Sequence, residues 1–184
     1  MKLNQYQKKA ITTKMYDDSV AIAYIVLGIC GESAELYEKI VEGDTSEGNL
    51  ELLSKEIGDV AWYLAGWAEE NKLKLESIAK FNTVQSSEGQ VSIHHLNDQL
   101  VLYSGQIAEY TKKALRDNFD EISVGVYPAD KLVKVNIAVA NLLETIKGIA
   151  FYFLLSFDEI LEDNIEKLRS RAERGKIGGS GDVR

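Results

Sequence analysis

Pro128 is the one proline in a chain of 184 residues, and this scarcity constrains the fold more than any other feature of the sequence. Sandwiches and barrels need many turns, and turns commonly contain proline together with glycine and asparagine. The chain is instead rich in Leu, Ala, Glu and Lys, and it has few alternating β-branched stretches. The sequence therefore predicts an all-α fold, in a single domain that covers residues 1–184.

Apolar periodicity and capping residues predict seven helices. They are expected over residues 4–15, 18–42, 50–70, 74–83, 93–117, 129–154 and 157–173. The candidate N-caps are Asp18 or Ser19, Asn49 and Ser92, and Pro128 suits the first turn of its helix. Polar or glycine-containing loops are expected over 42–49, 85–90 and 125–128, with a flexible glycine-rich tail over 174–184.

The formal net charge of −8 disfavours general nucleic-acid binding, which normally needs a basic surface. An acidic protein can still bind a phosphate ligand if a divalent cation lies between them. The single cysteine, Cys30, excludes an internal disulfide and a multi-cysteine zinc site, and its apolar neighbours indicate a buried structural thiol. The N-terminus lacks the apolar stretch of a signal peptide, and no apolar run reaches the roughly 18 residues of a membrane span. We expect a cytoplasmic protein without a membrane partner.

Two internal similarities predict a degenerate tandem repeat, in which residues 1–83 and 84–173 form a pseudo-dimer. Residues 31–39, GESAELYEK, resemble residues 105–113, GQIAEYTKK, at an offset of 74. At an offset of 82, five residues of the first half recur in the second: Gly66, Ala68, Leu73, Ile78 and Asn82 match Gly148, Ala150, Leu155, Ile160 and Asn164. The alternative is that helical bundles resemble one another without any duplication.

Two pairs of acids with i, i+3 spacing stand out in the first half, Glu32 with Glu35 and Glu56 with Asp59. Such spacing is common by chance, so the argument depends on the helix face of each pair. At 100° per residue, both pairs share a face with apolar side chains, which predicts inward-facing carboxylates. Buried carboxylates must be protonated, paired or bound to a metal. The alternative is a set of solvated surface acids.

The ligand chemistry of such a cluster favours Mg²⁺, Mn²⁺ or Ca²⁺ over zinc, because it offers carboxylate oxygens without His or Cys. Gly28 lies one turn before Glu32 and Gly31 directly precedes it, and the two glycines indicate the close approach of another helix or of a ligand. The repeat predicts one intact site per chain, since the second half lacks most of these acids. Its residues at the four acidic positions are Gln106, Glu109, Ala138 and Asn141.

The segments GICGESAELYEKI and KEIGDVAWYLAGWA resemble the signature of the all-α nucleoside triphosphate pyrophosphatases, a superfamily with MazG-like proteins, dimeric dUTPases and phosphoribosyl-ATP pyrophosphatase. The family pattern is E-x2-E, a variable gap and E-x2-D. The C-terminal segment NIEKLRSRAERG, with the following GGSGDVR, resembles the ending of short phage-type MazG-like proteins. The resemblance covers residues 3–82 and 158–184, whereas residues 83–157 depart from it.

The resemblance implies a MazG-like bundle that hydrolyses a (d)NTP to the (d)NMP and pyrophosphate, as a homodimer or higher oligomer. A house-cleaning role against non-standard nucleotides is a further implication. Glu32, Glu35, Glu56 and Asp59 would be the catalytic metal ligands, for Mg²⁺ or alternatively Mn²⁺. The substrate-binding candidates are Lys39, Tyr63, Asn82, Asn164, Lys167, Arg171 and Arg174.

Other interpretations remain open at the level of sequence. Lys39 could pair with Glu35 instead of phosphate, and the other candidates could be helix caps, solvated helix ends or packed side chains. A di-iron carboxylate bundle needs Glu-x-x-His pairs, but His94 and His95 are adjacent and lie outside the acidic motifs. A helical module that binds a nucleotide or a partner without catalysis is the main alternative, and nothing in the sequence identifies a preferred base.

Overall fold

A computed structural model describes residues 1–43, 46–84, 91–123 and 126–174. The regular secondary structure within these ranges consists of α-helices and 3-10 turns, which confirms the all-α prediction. The predicted linker 85–90 and the tail beyond Arg174 lie outside the described residues. The helices are α1 (Leu3–Ala10), α2 (Ala21–Val41), α3 (Glu47–Glu70), α4 (Leu75–Ala79), α5 (Ile93–Asp117), α6 (Phe119–Ser123), α7 (Ala129–Tyr152) and α8 (Phe157–Glu173).

Capping groups explain where several helices begin. α3 begins three residues earlier than predicted, because Ser46 and not Asn49 is its N-cap, and its Oγ accepts from the backbone of Asn49 at 3.5 Å. Ser92 caps α5 as predicted. Before α2 the chain forms a 3-10 turn, Asp18–Val20, in which the cap is Asp17 and neither Asp18 nor Ser19.

Three helix ends also differ from the prediction. α1 gives way to a 3-10 turn after Ala10, where the Trp62 indole donates to the Ala10 carbonyl at 3.1 Å. α4 ends at Ala79 and not near residue 83, because the Asn82 side chain bonds to the backbone of Val84 and turns the chain. α7 ends at Tyr152, since Leu154 has a positive φ of 57° that no helix continues. The short helix α6 was not predicted.

Two helical hairpins form the core. α2 packs antiparallel on α3, α5 packs on α7, and the hairpins meet through contacts of α2 with α5 and of α3 with α7. Trp67 is fully buried between them, and its indole donates to the Asn136 side chain at 2.9 Å. Cys30, at the contact of α2 with α5, is half-buried and not fully buried as predicted; its thiol lies 3.7 Å from the Ser104 carbonyl.

The short helices that follow each hairpin are exchanged. α4 follows α3 along the chain but packs mainly on α7, whereas α8 follows α7 and packs mainly on α3. α1 lies against α3 and also contacts α4 and α8. The exchange places α8, from the second half, beside the helix that carries Glu56 and Asp59.

The two halves match in detail at the ends of their second long helices. α3 and α7 each contain 24 residues and begin 82 residues apart. Both end in the same turn, with φ of 56° at Lys72 and 57° at Leu154. In both turns the next residue donates to a carbonyl five residues back at 2.8 Å, as the Schellman motif requires. These matches support the tandem repeat, and the pseudo-dimer stays a prediction.

By length and composition alone, the segment Asp18–Val41 is apolar enough to cross a membrane. In the fold this segment contains α2, which packs against α3 and α5 and carries Glu32 and Glu35. A bent pair formed by α7 and α8 meets the same test only if its two helices, inclined at 105°, count as one span.

Gly28 and Gly31 differ in their surroundings, which gives a matched test of the α2–α3 contact. A Cβ on Gly28 would lie 2.1 Å from Cε1 of Tyr63, whereas a Cβ on Gly31 meets nothing within 4 Å, so the predicted close approach of another helix is found at Gly28 and not at Gly31. We expect Gly28→Ala to destabilise the fold by about 1–3 kcal/mol through overpacking. Gly31→Ala should stabilise it by up to about 1 kcal/mol through helix propensity. Urea unfolding of both variants measures the difference, and equal effects would contradict the packing.

Candidate metal centre

The α2–α3 hairpin brings three of the four motif acids together. One carboxylate oxygen each from Glu32, Glu35 and Glu56 lies within 4.8 Å of the other two. Glu56 is 3% exposed and Glu32 is partly buried, as the helix-face argument predicts. Glu35 is exposed, so the prediction that it faces inward is wrong: it lies at the outer edge of the hairpin contact.

The crowding of these acids changes the protonation of Glu32. Burial is the largest cause, and the negative charges of Asp59, Glu35 and Glu56 add to it, while Lys167 opposes them. Together they raise the pKa of Glu32 from 4.5 to about 8. Without a cation the cluster therefore retains a proton at neutral pH, and a bound cation would favour the ionised form.

Asp59, the fourth motif acid, is held by α8. The Lys167 ammonium lies 2.7 Å from Oδ1 and 2.6 Å from Oδ2 of Asp59, and Nδ2 of Asn164 donates to Oδ1 at 2.8 Å. The side chains of Asp59 and Lys167 are 18% and 16% exposed, so the ion pair is largely shielded from water. The structure thus brings two of the predicted substrate-binding residues, Asn164 and Lys167, to the acidic motif.

Gly58 allows the close approach of α8 to α3. A Cβ at this position would lie 3.0 Å from both Cβ and Nδ2 of Asn164, tighter than ordinary packing contacts. Sequence reasoning did not single out this glycine. It also missed Tyr6 of α1, a fully buried residue whose hydroxyl donates to Oδ1 of Asn164 at 2.8 Å. Burial raises the pKa of Tyr6 well above its usual range, so the hydroxyl remains a donor.

The other predicted basic residues lie apart from the carboxylates or have other partners. Lys39 pairs with Glu42 at 3.1 Å, and not with Glu35. Arg171 follows Lys167 by one turn of α8, and Arg174 is exposed, its Nε donating to the Ser170 carbonyl at 3.2 Å. Lys167 contacts a motif acid directly, through its ion pair with Asp59.

Tyr63 belongs to an aromatic cluster at one end of the acidic site. Its ring packs over Gly28, in contact with the edge of the Trp62 ring at a centroid distance of 4.9 Å. Tyr16 stacks on Tyr24 with centroids 4.8 Å apart, and Tyr24 lies 6.0 Å from Tyr63. Burial is the main cause that raises the pKa of Tyr63, with smaller contributions from Tyr24 and the motif acids, so the cluster adjoins the carboxylates.

In the second half, the residues that the predicted repeat matches to the motif acids have other partners. Asn141, at the position of Asp59, is buried and exchanges hydrogen bonds of 2.8–3.2 Å with the backbone and hydroxyl of Thr83. Asn82 bonds locally to Val84, and the structure gives it no contact with the motif acids among the described residues. Glu109 pairs with Lys112 and, at 3.0 Å, with Lys113. The described part of the second half holds no counterpart of the carboxylate cluster.

The donor set fits a hard divalent cation. It offers carboxylate oxygens from two rigid helices, and one ligand, Glu56, is already removed from water by the core. Mg²⁺ and Mn²⁺ prefer such oxygens, and Mg²⁺ commonly keeps positions for water and substrate phosphates. The exposed position of Glu35 leaves one side of the cluster open to a ligand from solvent.

Comparisons with known proteins add one relative. The chain is 28% identical to the "Gene 37 protein" of Mycobacterium phage L5 over 94 residues, which cover 45% of this chain and 82% of the phage protein. The name of the phage protein states no activity. The two shares make the phage protein roughly half as long as this chain. No family model matches the chain, and no solved structure matches it.

The raised pKa of Glu32 predicts a pH dependence of stability in the absence of metal. Its stabilising contribution is fully present below pH 4.5 and is lost as the pH rises through about 8, because the unfolded state then releases a proton that the folded state retains. In EDTA we expect Glu32→Gln to weaken this loss and to raise the unfolding free energy at pH 8. Urea unfolding from pH 5 to 9 measures it. The control Glu159→Gln, an exposed acid of α8, should keep the wild-type profile, and an unchanged Glu32→Gln profile would contradict the assignment.

Proposed function

We propose that this protein is a Mg²⁺-dependent nucleoside triphosphate pyrophosphohydrolase, which converts a (d)NTP and water to the (d)NMP and pyrophosphate. The observation that carries the proposal is the convergence of Glu32, Glu35 and Glu56 within 4.8 Å, with Asp59 on the next turn of α3. These are the four acids of the E-x2-E and E-x2-D pattern that the sequence shares with the all-α pyrophosphatases. The resemblance supplies the reaction, and the geometry supports it.

The motif acids would hold the metal. A bound Mg²⁺ neutralises phosphate charge and lowers the pKa of a coordinated water, which is the chemistry that attack on phosphorus needs. Glu56 is the fixed ligand, since the core excludes water from it, while Glu35 lies at the solvent side where the substrate would enter. Glu32 lies between motif acids of both helices and would lose its retained proton when the cation binds.

Lys167 would hold the triphosphate. In the structure its ammonium neutralises Asp59, yet a phosphate oxygen is an equally good partner for it. Movement of the ammonium from Asp59 to phosphate would free a carboxylate for the metal at the same time. Arg171, one turn further along α8, and Arg174 at its end extend this positive edge.

The aromatic cluster supports a nucleoside as the organic part of the substrate. Tyr24 is 43% exposed and stacks on Tyr16, so one ring edge of the cluster remains open next to the acids. Aromatic side chains bind nucleobases by stacking, and this binding tolerates different bases. The cluster gives no hydrogen-bond pattern that selects one base, which fits a house-cleaning role against several non-standard nucleotides.

The same proposal includes the arrangement of the chain. The exchange of α4 and α8, the matched ends of α3 and α7, and a relative of roughly half the length all support a fused pseudo-dimer with one site. Further association into a homodimer or higher oligomer and a cytoplasmic location follow from the sequence interpretation and are part of the proposal.

Pyrophosphate release tests the activity directly. We expect the wild type to release pyrophosphate from a panel of standard and modified dNTPs only with Mg²⁺ or Mn²⁺. Glu56→Gln should lower kcat/KM by more than about 100-fold, since even partners outside the ligand shell are commonly worth 10–100-fold. The matched control is Glu109→Gln, at the second-half position equivalent to Glu35, which should keep full activity. If wild type binds nucleotide without releasing pyrophosphate, the protein is a non-catalytic binding module.

Lys167→Met tests whether the Lys167 ammonium competes with the metal for the Asp59 carboxylate. Removal of the ammonium leaves Asp59 without its cation, so we expect Mn²⁺ to bind the nucleotide-free variant several-fold more tightly than wild type, while KM for the triphosphate rises. Calorimetric titration with Mn²⁺ and steady-state kinetics measure the two effects. Lys131→Met, which breaks the exposed ion pair with Asp117 on the second hairpin, is the control and should change neither. Weaker Mn²⁺ binding by Lys167→Met would contradict the competition.

A further inference from the structure

Tyr6 connects the first helix of the chain to the metal centre. It lies on α1 and is fully buried, and its hydroxyl is 2.8 Å from Oδ1 of Asn164 and 3.3 Å from the carbonyl oxygen of Gly58. Gly58 directly precedes Asp59, and Asn164 donates to Oδ1 of Asp59 at 2.8 Å. One phenol group therefore contacts both the backbone next to Asp59 and the side chain that binds its carboxylate.

The hydroxyl holds the Asn164 amide in the orientation that the Asp59 carboxylate requires. A carboxylate only accepts, so Nδ2 of Asn164 faces Asp59 and donates to it, and the Tyr6 hydroxyl binds the other end of the amide by donating to Oδ1. A flipped amide would place its oxygen against the carboxylate, and its Nδ2 group would face the hydroxyl. Asn164 is 3% exposed, so water cannot readily replace either bond. Packing alone does not make this choice, since the two ends of an amide are nearly equal in size.

We propose that Tyr6 is a positioning residue of the metal centre, which through Asn164 holds the Asp59 carboxylate in one orientation. The inference rests on the proposed function and deepens it. In this arrangement Oδ1 of Asp59 accepts from both Asn164 and Lys167, while Oδ2 accepts from Lys167. When Lys167 leaves, Asn164 still holds Oδ1, and Oδ2 can bind a cation. Tyr6 touches neither metal nor substrate, and it acts as the outer partners of metal ligands commonly do.

Mn²⁺ binding by the nucleotide-free protein is the primary test, because it does not require turnover. We expect Tyr6→Phe to fold as wild type, since only a hydroxyl is removed, and to bind Mn²⁺ about 10–100-fold more weakly. The control is Tyr127→Phe, which removes a partly buried hydroxyl near Thr111 on the second hairpin and should bind Mn²⁺ normally. Wild-type affinity in a folded Tyr6→Phe variant would overturn the inference.

A double-mutant cycle with Asn164→Ala separates positioning from a general structural effect. If Tyr6 acts through Asn164, the double variant should bind Mn²⁺ within about twofold of Asn164→Ala alone. Losses that simply multiply would overturn the inference. If wild type itself binds no Mn²⁺, both the proposed function and the inference about Tyr6 fail. If wild type binds Mn²⁺ and releases pyrophosphate but Tyr6→Phe is unchanged in both, only the role of Tyr6 fails.

A measurement on wild type covers the case in which Tyr6→Phe does not fold. In protein labelled with ¹³C at the tyrosine Cζ, the resonance of Tyr6 reports the hydrogen bonds of its hydroxyl. Saturation with Mg²⁺ should shift this resonance. The hydroxyl is connected through Asn164 to the Asp59 carboxylate, and this carboxylate exchanges Lys167 for the cation. Tyr127 provides the internal control and should not shift. A Tyr6 resonance that is unmoved at saturating Mg²⁺ would overturn the inference.

Discussion

The mutual repulsion of acids held on two packed helices is the constraint on which the rest of the site depends. Glu32, Glu35 and Glu56 are fixed within 4.8 Å because the apolar faces of α2 and α3 pack together, and the repulsion is the price of that packing. Asp59, the fourth motif acid, is paired with the Lys167 ammonium of α8. The negative charge gathered on the hairpin favours the binding of a divalent cation, which would offset the repulsion between the carboxylates.

The parts of this structure that depend on local pattern were predictable. Helix periodicity located seven of the eight described helices, and the shared faces of the two acid pairs predicted the convergence of Glu32, Glu35 and Glu56. The prediction was less successful where one side chain decides the outcome. Ser46 caps α3 and sets where this helix begins, and Glu35 is exposed although it shares a helix face with buried residues. An angle of 100° per residue cannot distinguish the edge of a packed face from its centre.

Contacts between distant segments could not be derived from sequence. Lys167 lies 108 residues from Asp59, and Tyr6 lies 158 residues from Asn164. The resemblance identified Lys167 and Asn164 as candidates, but not that they bind an acid of the motif. Nothing in the sequence around Tyr6 distinguishes it from an ordinary core residue of an amphipathic helix. Its role depends on how α1, α3 and α8 meet, and this is decided by tertiary packing.

The exchange of α8 onto the first hairpin also determines when the site can exist during synthesis. Contacts between residues far apart in sequence form only after the intervening chain is made, and domains fold as the chain emerges. The hairpin of α2 and α3 can pair early, with its carboxylates together and without the ammonium of Lys167. Until α8 has left the ribosome, Asp59 lacks both Lys167 and Asn164. The nascent chain therefore passes through a stage in which the Asp59 carboxylate is open to dissolved cations.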